Sequence, residues 1–289
     1  MSKNDWVFVD GHFMPSSEAR VSPFDRGFLF AHSAYEVTAV YNGKFVDLDL
    51  HLERLGRTLT GLEITAPTLD LVDIHQELIT RNEVTEGLVY LQVTAGMQGP
   101  RDFYGPEDLT PSVFAFASTR DLIGEAARNG ISVISYEDTR WTRRDLKTTQ
   151  LVSQSLAYRA ARRAGATTAI LHEAGTVTEA ASANLWIVTA DGALITRDLS
   201  HALLPGVTRA RALSLLAAEG VSVTERAFTL DEMHQAREAF TSSTGAMIAP
   251  ILTLDGKAIG SGAPGPITRI MQRAYYRYIG ADLSKLDWL

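Results

Sequence analysis

Arg140-Trp-Thr-Arg-Arg-Asp-Leu-Lys147-Thr-Thr-Gln150 sets a lysine close behind two arginines, Arg143 and Arg144. The same lysine heads a mostly uncharged, helix-like segment from Thr148 to Ala164. A lysine ammonium is a poor nucleophile until neighbouring cations or burial favour its neutral form, as Schiff-base chemistry requires. Alone the stretch decides little, because lysines beside arginines are most often solvated surface. Its meaning comes from the stretches that accompany it.

Thr176-Val-Thr-Glu179-Ala-Ala-Ser-Ala-Asn184 puts one acid among small and hydroxyl residues, just before the apolar run Leu185-Trp-Ile-Val188. Leu203-Leu-Pro-Gly206-Val-Thr208-Arg209 sets a Pro-Gly turn ahead of a helix-like segment, and Thr241-Ser-Ser-Thr-Gly245 is a short loop of hydroxyls and glycine. A base, an acid and two anion-cradling loops, one of them opening a helix, suit a phosphate-bearing cofactor with an ionisable ring.

With these stretches in place the chain resembles the class IV aminotransferases, which use pyridoxal 5'-phosphate on the fold type IV scaffold. The resemblance runs over nearly the whole chain: Asp25-Arg-Gly-Phe28, Tyr35-Glu-Val37, His51-Leu-Glu-Arg-Leu55, Arg140-Trp141, Lys147, the Glu179 stretch, Gly206-Val-Thr-Arg209 and Thr241-Ser-Ser-Thr244. It implies an α/β (α+β) protein of two lobes with the cofactor in the cleft between them, and a homodimer with active sites near the subunit interface. The expected layout is a small N-terminal α/β domain over 1–118, a connection over 119–130 and a large cofactor-binding domain over 131–289.

The resemblance also assigns roles. Lys147 is the catalytic residue, carrying the cofactor as a Schiff base and moving the proton at the substrate Cα, which needs an amine neutral part of the time. Glu179 matches the acid that faces the pyridine nitrogen and keeps it protonated. Arg54, Val207, Thr208 and Ser243 match the phosphate ligands, and an arginine fork with amides at a helix start is the expected anion chemistry. Leu204 matches a residue packed on the ring. Tyr35 matches a tyrosine lining the substrate pocket, Arg101 the substrate-carboxylate arginine, which reaches in from the other subunit of the dimer, and the Thr244 amide a further contact. Phe103 stands where a frequent family pattern, arginine-x-histidine, has the histidine.

The implied reaction is transamination between a D-amino acid and a 2-oxo acid through pyridoxamine phosphate. The Tyr35-Glu-Val37 pattern and Arg101 favour this over branched-chain aminotransferases. An (R)-selective amine transaminase shares the scaffold, and aminodeoxychorismate lyase shares the cofactor and lysine.

Composition agrees with such an enzyme. At 289 residues, 45% hydrophobic and 21% charged, the chain has enough apolar material for one large or two modest cores. A net charge of −7 argues against nucleic acid as the main partner. There is no cysteine, so disulfides and thiolate metal sites are excluded. The seven histidines show no metal-ligand spacing, and no metal is expected. No apolar run approaches a membrane span and the start lacks an apolar signal core, so a cytoplasmic protein is expected.

Along the chain, Asp5–Val9, the Asp10-Gly11 turn and Phe13-Met14 read as a hairpin. Tyr35–Tyr41, Asn42-Gly43 and Lys44–Val46 read as another. Asp47 is expected to cap a helix with apolar positions at Leu48, Leu52, Leu55, Leu59 and Leu62, which puts His51, Arg54 and Leu55 on one side. A second helix is expected within Leu69–Asn82, then strands at Val89–Thr94 and Ser112–Ala117 around the long loop Ala95–Pro111. Strand and helix signals alternate thereafter, ending in a helix from about Pro266 to Tyr278. Gly260-Ser-Gly262-Ala-Pro-Gly265 fits a dinucleotide G-x-G-x-x-G string but lacks the strand–turn–helix context, and reads as a glycine-rich connection.

Overall fold

The computed structural model describes residues 5–106 and 108–289, and these divide into two compact units. The first comprises Met1–Asp121 with Leu146–Gln150; the second comprises Leu122–Asp145 with Leu151–Leu289.

In the first unit the hairpin β1 (Trp6–Val9) and β2 (His12–Pro15) turns at Asp10 and Gly11, both with positive φ. A short helix α1 (Arg26–Phe30), which the hydrophobic pattern does not signal, is capped by Asp25, whose Oδ1 accepts from the Gly27 amide. Next come β3 (Ser33–Tyr41), the Asn42-Gly43 turn and β4 (Lys44–Val46), then helices α2 (Leu48–Gly61) and α3 (Leu71–Arg81). Strands β5 (Gly87–Thr94) and β6 (Ser112–Thr119) complete an all-antiparallel sheet in the order β2-β1-β6-β5-β3-β4.

One helix start departs from expectation. Asp47 adopts a left-handed backbone and makes no side-chain cap bond to α2. With φ +53° its carboxylate is not aimed at the first-turn amides, as a cap in the extended region would be. Asp70 does cap α3, accepting from Val72 N and Asp73 N at 3.0 Å.

The period-two alternation of β3 divides its side chains. Ala34, Glu36, Thr38 and Val40 are buried, together with Val89, Leu91 and Val93 of β5 and with Leu55, Leu59, Ile74 and Leu78 of the two helices. The other face carries aromatic residues: Tyr35 stacks on Tyr90 at 5.6 Å and Tyr90 on Phe116 at 5.1 Å.

The second unit opens with α4 (Glu125–Asn129) and β7 (Ile131–Glu137), then α5 (Val152–Arg163), β8 (Thr168–Glu173), β9 (Thr176–Ala180), β10 (Asn184–Val188) and β11 (Leu194–Thr196). It continues with α6 (Val207–Ala218), β12 (Val223–Glu225), α7 (Leu230–His234), β13 (Glu238–Ser243), β14 (Met247–Leu254), β15 (Lys257–Ala258) and α8 (Pro266–Tyr278). The mixed sheet runs β12-β11-β10-β13-β14-β7-β8-β9, with β15 on β14. Every residue of β10 is buried, and Trp186 lies opposite Phe240 of β13 with rings stacked at 5.6 Å.

The glycine string at 260–265 leads into α8, whose first turn already has its anion. The buried Glu238 carboxylate accepts from Ile267 N at 3.1 Å and Thr268 N at 2.8 Å. A Cβ on Gly265 would lie 2.1 Å from Glu238 Cδ, so glycine is required there. Among the described residues no helix is long and apolar enough to cross a membrane.

Candidate active site

In the first unit the Leu146–Gln150 segment lies along the start of β3. Tyr35 N donates to Lys147 O at 3.0 Å, Thr149 N donates to Ser33 O at 3.2 Å, and Lys147 N donates to Thr58 Oγ1 at 3.3 Å. Leu146 is buried against Gly61, where a Cβ would approach Leu146 Cδ2 to 2.6 Å. With the backbone fixed on three sides, the half-buried Lys147 extends so that Nζ stands 4.2 Å from the centre of the Tyr35 ring. The face of an aromatic ring attracts an ammonium without neutralising it as a carboxylate would. Tyr35 and Lys147, singled out separately in the sequence, are therefore in contact.

Arg54 points inward from α2, as the helical spacing predicts, and is almost fully buried. Its Nε and Nη2 donate to Glu36 Oε1 and Oε2 at 2.8 and 2.7 Å, a fork on a carboxylate, and His51 Nδ1 lies 2.7 Å from Glu36 Oε2. Burial alone would raise the Glu36 carboxyl, but the Arg54 charge and hydrogen bond and the His51 contact bring it down to about 2. Burial holds His51 below the ordinary imidazole range. Glu36 was noted only as part of the Tyr35-Glu-Val37 motif, and its bond to Arg54 is missing from the sequence reading. The signal was present: in a strand whose Tyr35 and Val37 face one way, Glu36 faces the core, where an acid needs a partner.

The loop after β5 carries Arg101 and Phe103, both exposed. Arg26 ties the loop down, with Nη1 donating to Gln98 Oε1 and to Asp102 O and Nη2 donating to Phe103 O. The Arg101 guanidinium lies over two rings, 5.1 Å from the centre of Phe30 and 4.5 Å from that of Phe103.

In the second unit Glu179 projects from β9 and is buried. It accepts from Arg140 Nη1 at 2.5 Å, Asn184 Nδ2 at 3.2 Å and the Leu204 amide at 3.3 Å. Burial pushes its carboxyl above the ordinary value, against the pull of Arg140. Arg140 also donates from Nε and Nη2 to Asp138, at 2.9 and 2.7 Å. Arg140 was noted only as part of a motif, and Asp138 not at all. Arg143 and Arg144 are likewise tied to carboxylates, Arg143 to Asp145 and Arg144 to Glu173.

Helix α6 starts at Val207, with Gly206 at the cap, a residue with no side-chain oxygen of its own to offer the first amides. A Cβ on Gly206 would lie 2.0 Å from Asn184 Oδ1, so the turn packs directly on the residue that supports Glu179. Thr208 is buried in the first turn. Ser243 ends β13 and is half-buried, as is Thr244 in the turn that follows; Leu204, also half-buried, bonds Glu179 through its backbone.

Residues 33–254 match the family model for amino-transferase class IV. The D-alanine aminotransferase of Bacillus licheniformis is 35% identical over 281 residues, 96% of this chain and 99% of the relative. The D-alanine aminotransferase of Staphylococcus aureus (strain MSSA476) is 32% identical over 275 residues, 94% and 97% of the two chains. Among solved structures, the branched-chain amino acid aminotransferase of Escherichia coli superposes with a TM-score of 0.87 at 23% identity, covering 99% of this chain and 98% of that one. The fold is therefore the fold type IV scaffold expected from the resemblance. The chain belongs to the class IV aminotransferases, enzymes that work with pyridoxal 5'-phosphate.

Proposed function

We propose that this aminotransferase exchanges amino and oxo groups between a D-amino acid and a 2-oxo acid. The observation that carries the reading is the likeness, at about one third identity and along nearly the whole chain, to enzymes named D-alanine aminotransferase. The resemblance extends the reading to a homodimer, and the cytoplasm is the location expected from the sequence.

The residues present suit the cofactor's three chemical parts. A helix start capped by glycine, at Val207 and Thr208, suits the phosphate, with Ser243, Thr244 and the Arg54 cation as further ligands. The buried carboxylate of Glu179, aligned by three donors, suits a protonated ring nitrogen. The Lys147 amine, fixed through its backbone, suits the aldehyde. When bound, pyridoxal phosphate supplies an electron sink for the pair left on the substrate Cα.

The chain's own residues do the rest. Lys147 Nζ would take the proton from the substrate Cα, with Tyr35 limiting where the amine swings. Glu179 holds a proton at the ring nitrogen, and Leu204 packs on the ring. Arg101, serving the site of the other subunit in the dimer, meets the substrate carboxylate through the edge of its guanidinium, because Phe30 and Phe103 lie against its faces.

Phe103 favours a second reading. An apolar ring in the place of a histidine removes one donor to a carboxylate and suits an (R)-amine that has none.

Visible spectra of the purified enzyme with D-alanine, L-alanine, L-leucine or (R)-1-phenylethylamine separate the readings. Loss of the bound-cofactor band with D-alanine and not with L-alanine is expected. Loss chiefly with the aryl amine moves the assignment to an amine transaminase, and loss chiefly with L-leucine overturns both.

A further inference from the structure

One guanidinium in the second unit serves two buried carboxylates. Arg140 holds Asp138 through Nε and Nη2 and holds Glu179 through Nη1, and none of the three side chains is more than 7% exposed. Asp138 is fixed independently of Arg140. Its amide donates to His172 O at 2.8 Å, Thr178 Oγ1 donates to its Oδ2 at 2.7 Å, and Arg144 Nε stands 3.5 Å from the same oxygen. A fork bound to an anchored carboxylate has its plane set, because the guanidinium is rigid and flat. The orientation of Nη1 toward Glu179 is thus decided at Asp138.

We propose that Asp138 is a positioning residue for Glu179. Acting through Arg140, it aims one N–H at the acid and divides the arginine's charge, so that the Glu179 carboxylate keeps the negative charge that favours a proton on the cofactor's ring nitrogen. This rests on the role read for Glu179 above.

The physical need is specific. A carboxylate paired with an undivided, buried guanidinium is neutralised by it, and a neutralised pair offers little negative charge to favour a proton on the ring nitrogen. Glu179 is faced by Arg140 from the loop after β7, by Asn184 of β10 and by the Leu204 amide ahead of α6. Asp138 is the negative charge behind the arginine. Burial and the Asp138 charge raise the Glu179 carboxyl while Arg140 lowers it. Removing the Asp138 charge tips that balance toward Arg140.

The test follows the Glu179 carboxyl carbon by NMR through a pH titration of the full chain carrying 13C-labelled glutamate, with and without cofactor, the resonance being assigned with Glu179→Gln. In Asp138→Asn the Glu179 titration is expected to move to lower pH, and in Asp138→Glu, which keeps the charge, to stay near wild type. Arg140→Lys, which cannot fork onto Asp138 and reach Glu179 together, is expected to move it to higher pH. An unchanged or upward titration in Asp138→Asn overturns the proposal. Should that variant not fold, an unchanged or downward titration in Arg140→Lys overturns it, since general loosening moves a raised carboxyl down in either variant. Shifts in the cofactor-free chain with a Glu179 titration that cofactor loading does not alter overturn instead the role of Glu179 toward the ring.

Discussion

Glu36 Oε2 lies 2.7 Å from Arg54 Nη2, with the two side chains 1% and 4% exposed. A pair this deeply buried contributes modestly against an apolar pair of the same shape, but removing one partner strands a charge and costs roughly 3–5 kcal/mol. Glu36→Gln is therefore expected to lower unfolding free energy in urea by about that amount. A loss under about 1 kcal/mol, the value of an exposed pair, contradicts the assignment.

The same cluster makes the protein acid-sensitive. Burial holds both His51 and His75 below 6.5, and His75 Nε2 meets no polar partner among the described residues. A histidine with a depressed native pKa takes up its proton first in the unfolded chain. Its contribution is complete above pH 6.5 and is lost as pH falls toward the native value. Glu36 follows, its contribution present above 4.5 and lost toward about 2. Glu179, raised by burial, works in the opposite direction, favouring the fold below 4.5 and less as pH rises. Thermal midpoints are expected to fall from neutral pH toward pH 5, with a flatter slope in His75→Asn. Equal slopes would remove His75 from the account.

Lys147→Ala is expected to lower the transamination rate by at least about 10²–10⁴-fold, the usual contribution of a positioned proton-transfer group. The side chain is only half-buried, so the thermal midpoint should hardly move. A variant that keeps its rate would displace Lys147 from the reaction.

Gly206→Ala places a methyl where Asn184 Oδ1 lies 2.0 Å away. Overpacking of this kind typically costs about 1–3 kcal/mol, and here it also pushes on the donor that steadies Glu179. Both stability and cofactor affinity are expected to drop together, as read by melting and by fluorescence titration with pyridoxal phosphate. Unchanged affinity would separate the α6 turn from the cofactor.

Phe103→His supplies a donor beside Arg101 at the cost of one ring against its guanidinium. A hydrogen bond to a charged group is worth roughly 1.5–3 kcal/mol, so kcat/KM for D-alanine relative to (R)-1-phenylethylamine should rise about tenfold or more. A ratio that falls would show Phe103 serving the carboxylate as it stands.

Much of this was legible in the letters because it depends on local periodicity. The Asn42-Gly43 turn, the inward side of α2 and the Lys147 and Glu179 stretches each declare themselves within a few residues. Partnerships across the chain did not. Glu36 and Arg54 are 18 residues apart and Arg140 and Glu179 are 39 apart, and only folding reveals which charges share a core. The Asp47 cap failed for a related reason: residue type favours a cap, but the left-handed backbone that continues the β4 turn decides where the carboxylate points. Short helices such as α1 and α7 escaped because a single turn carries no measurable period; Thr229 and Glu232 form a capping box at α7 that the spacing could have revealed.

The most direct test of the central claim is chiral analysis of one reaction mixture: racemic alanine, 2-oxoglutarate and the cofactor-loaded enzyme. The account predicts that D-alanine is consumed, L-alanine remains and the glutamate formed is the D enantiomer. Consumption of L-alanine with formation of L-glutamate would contradict it.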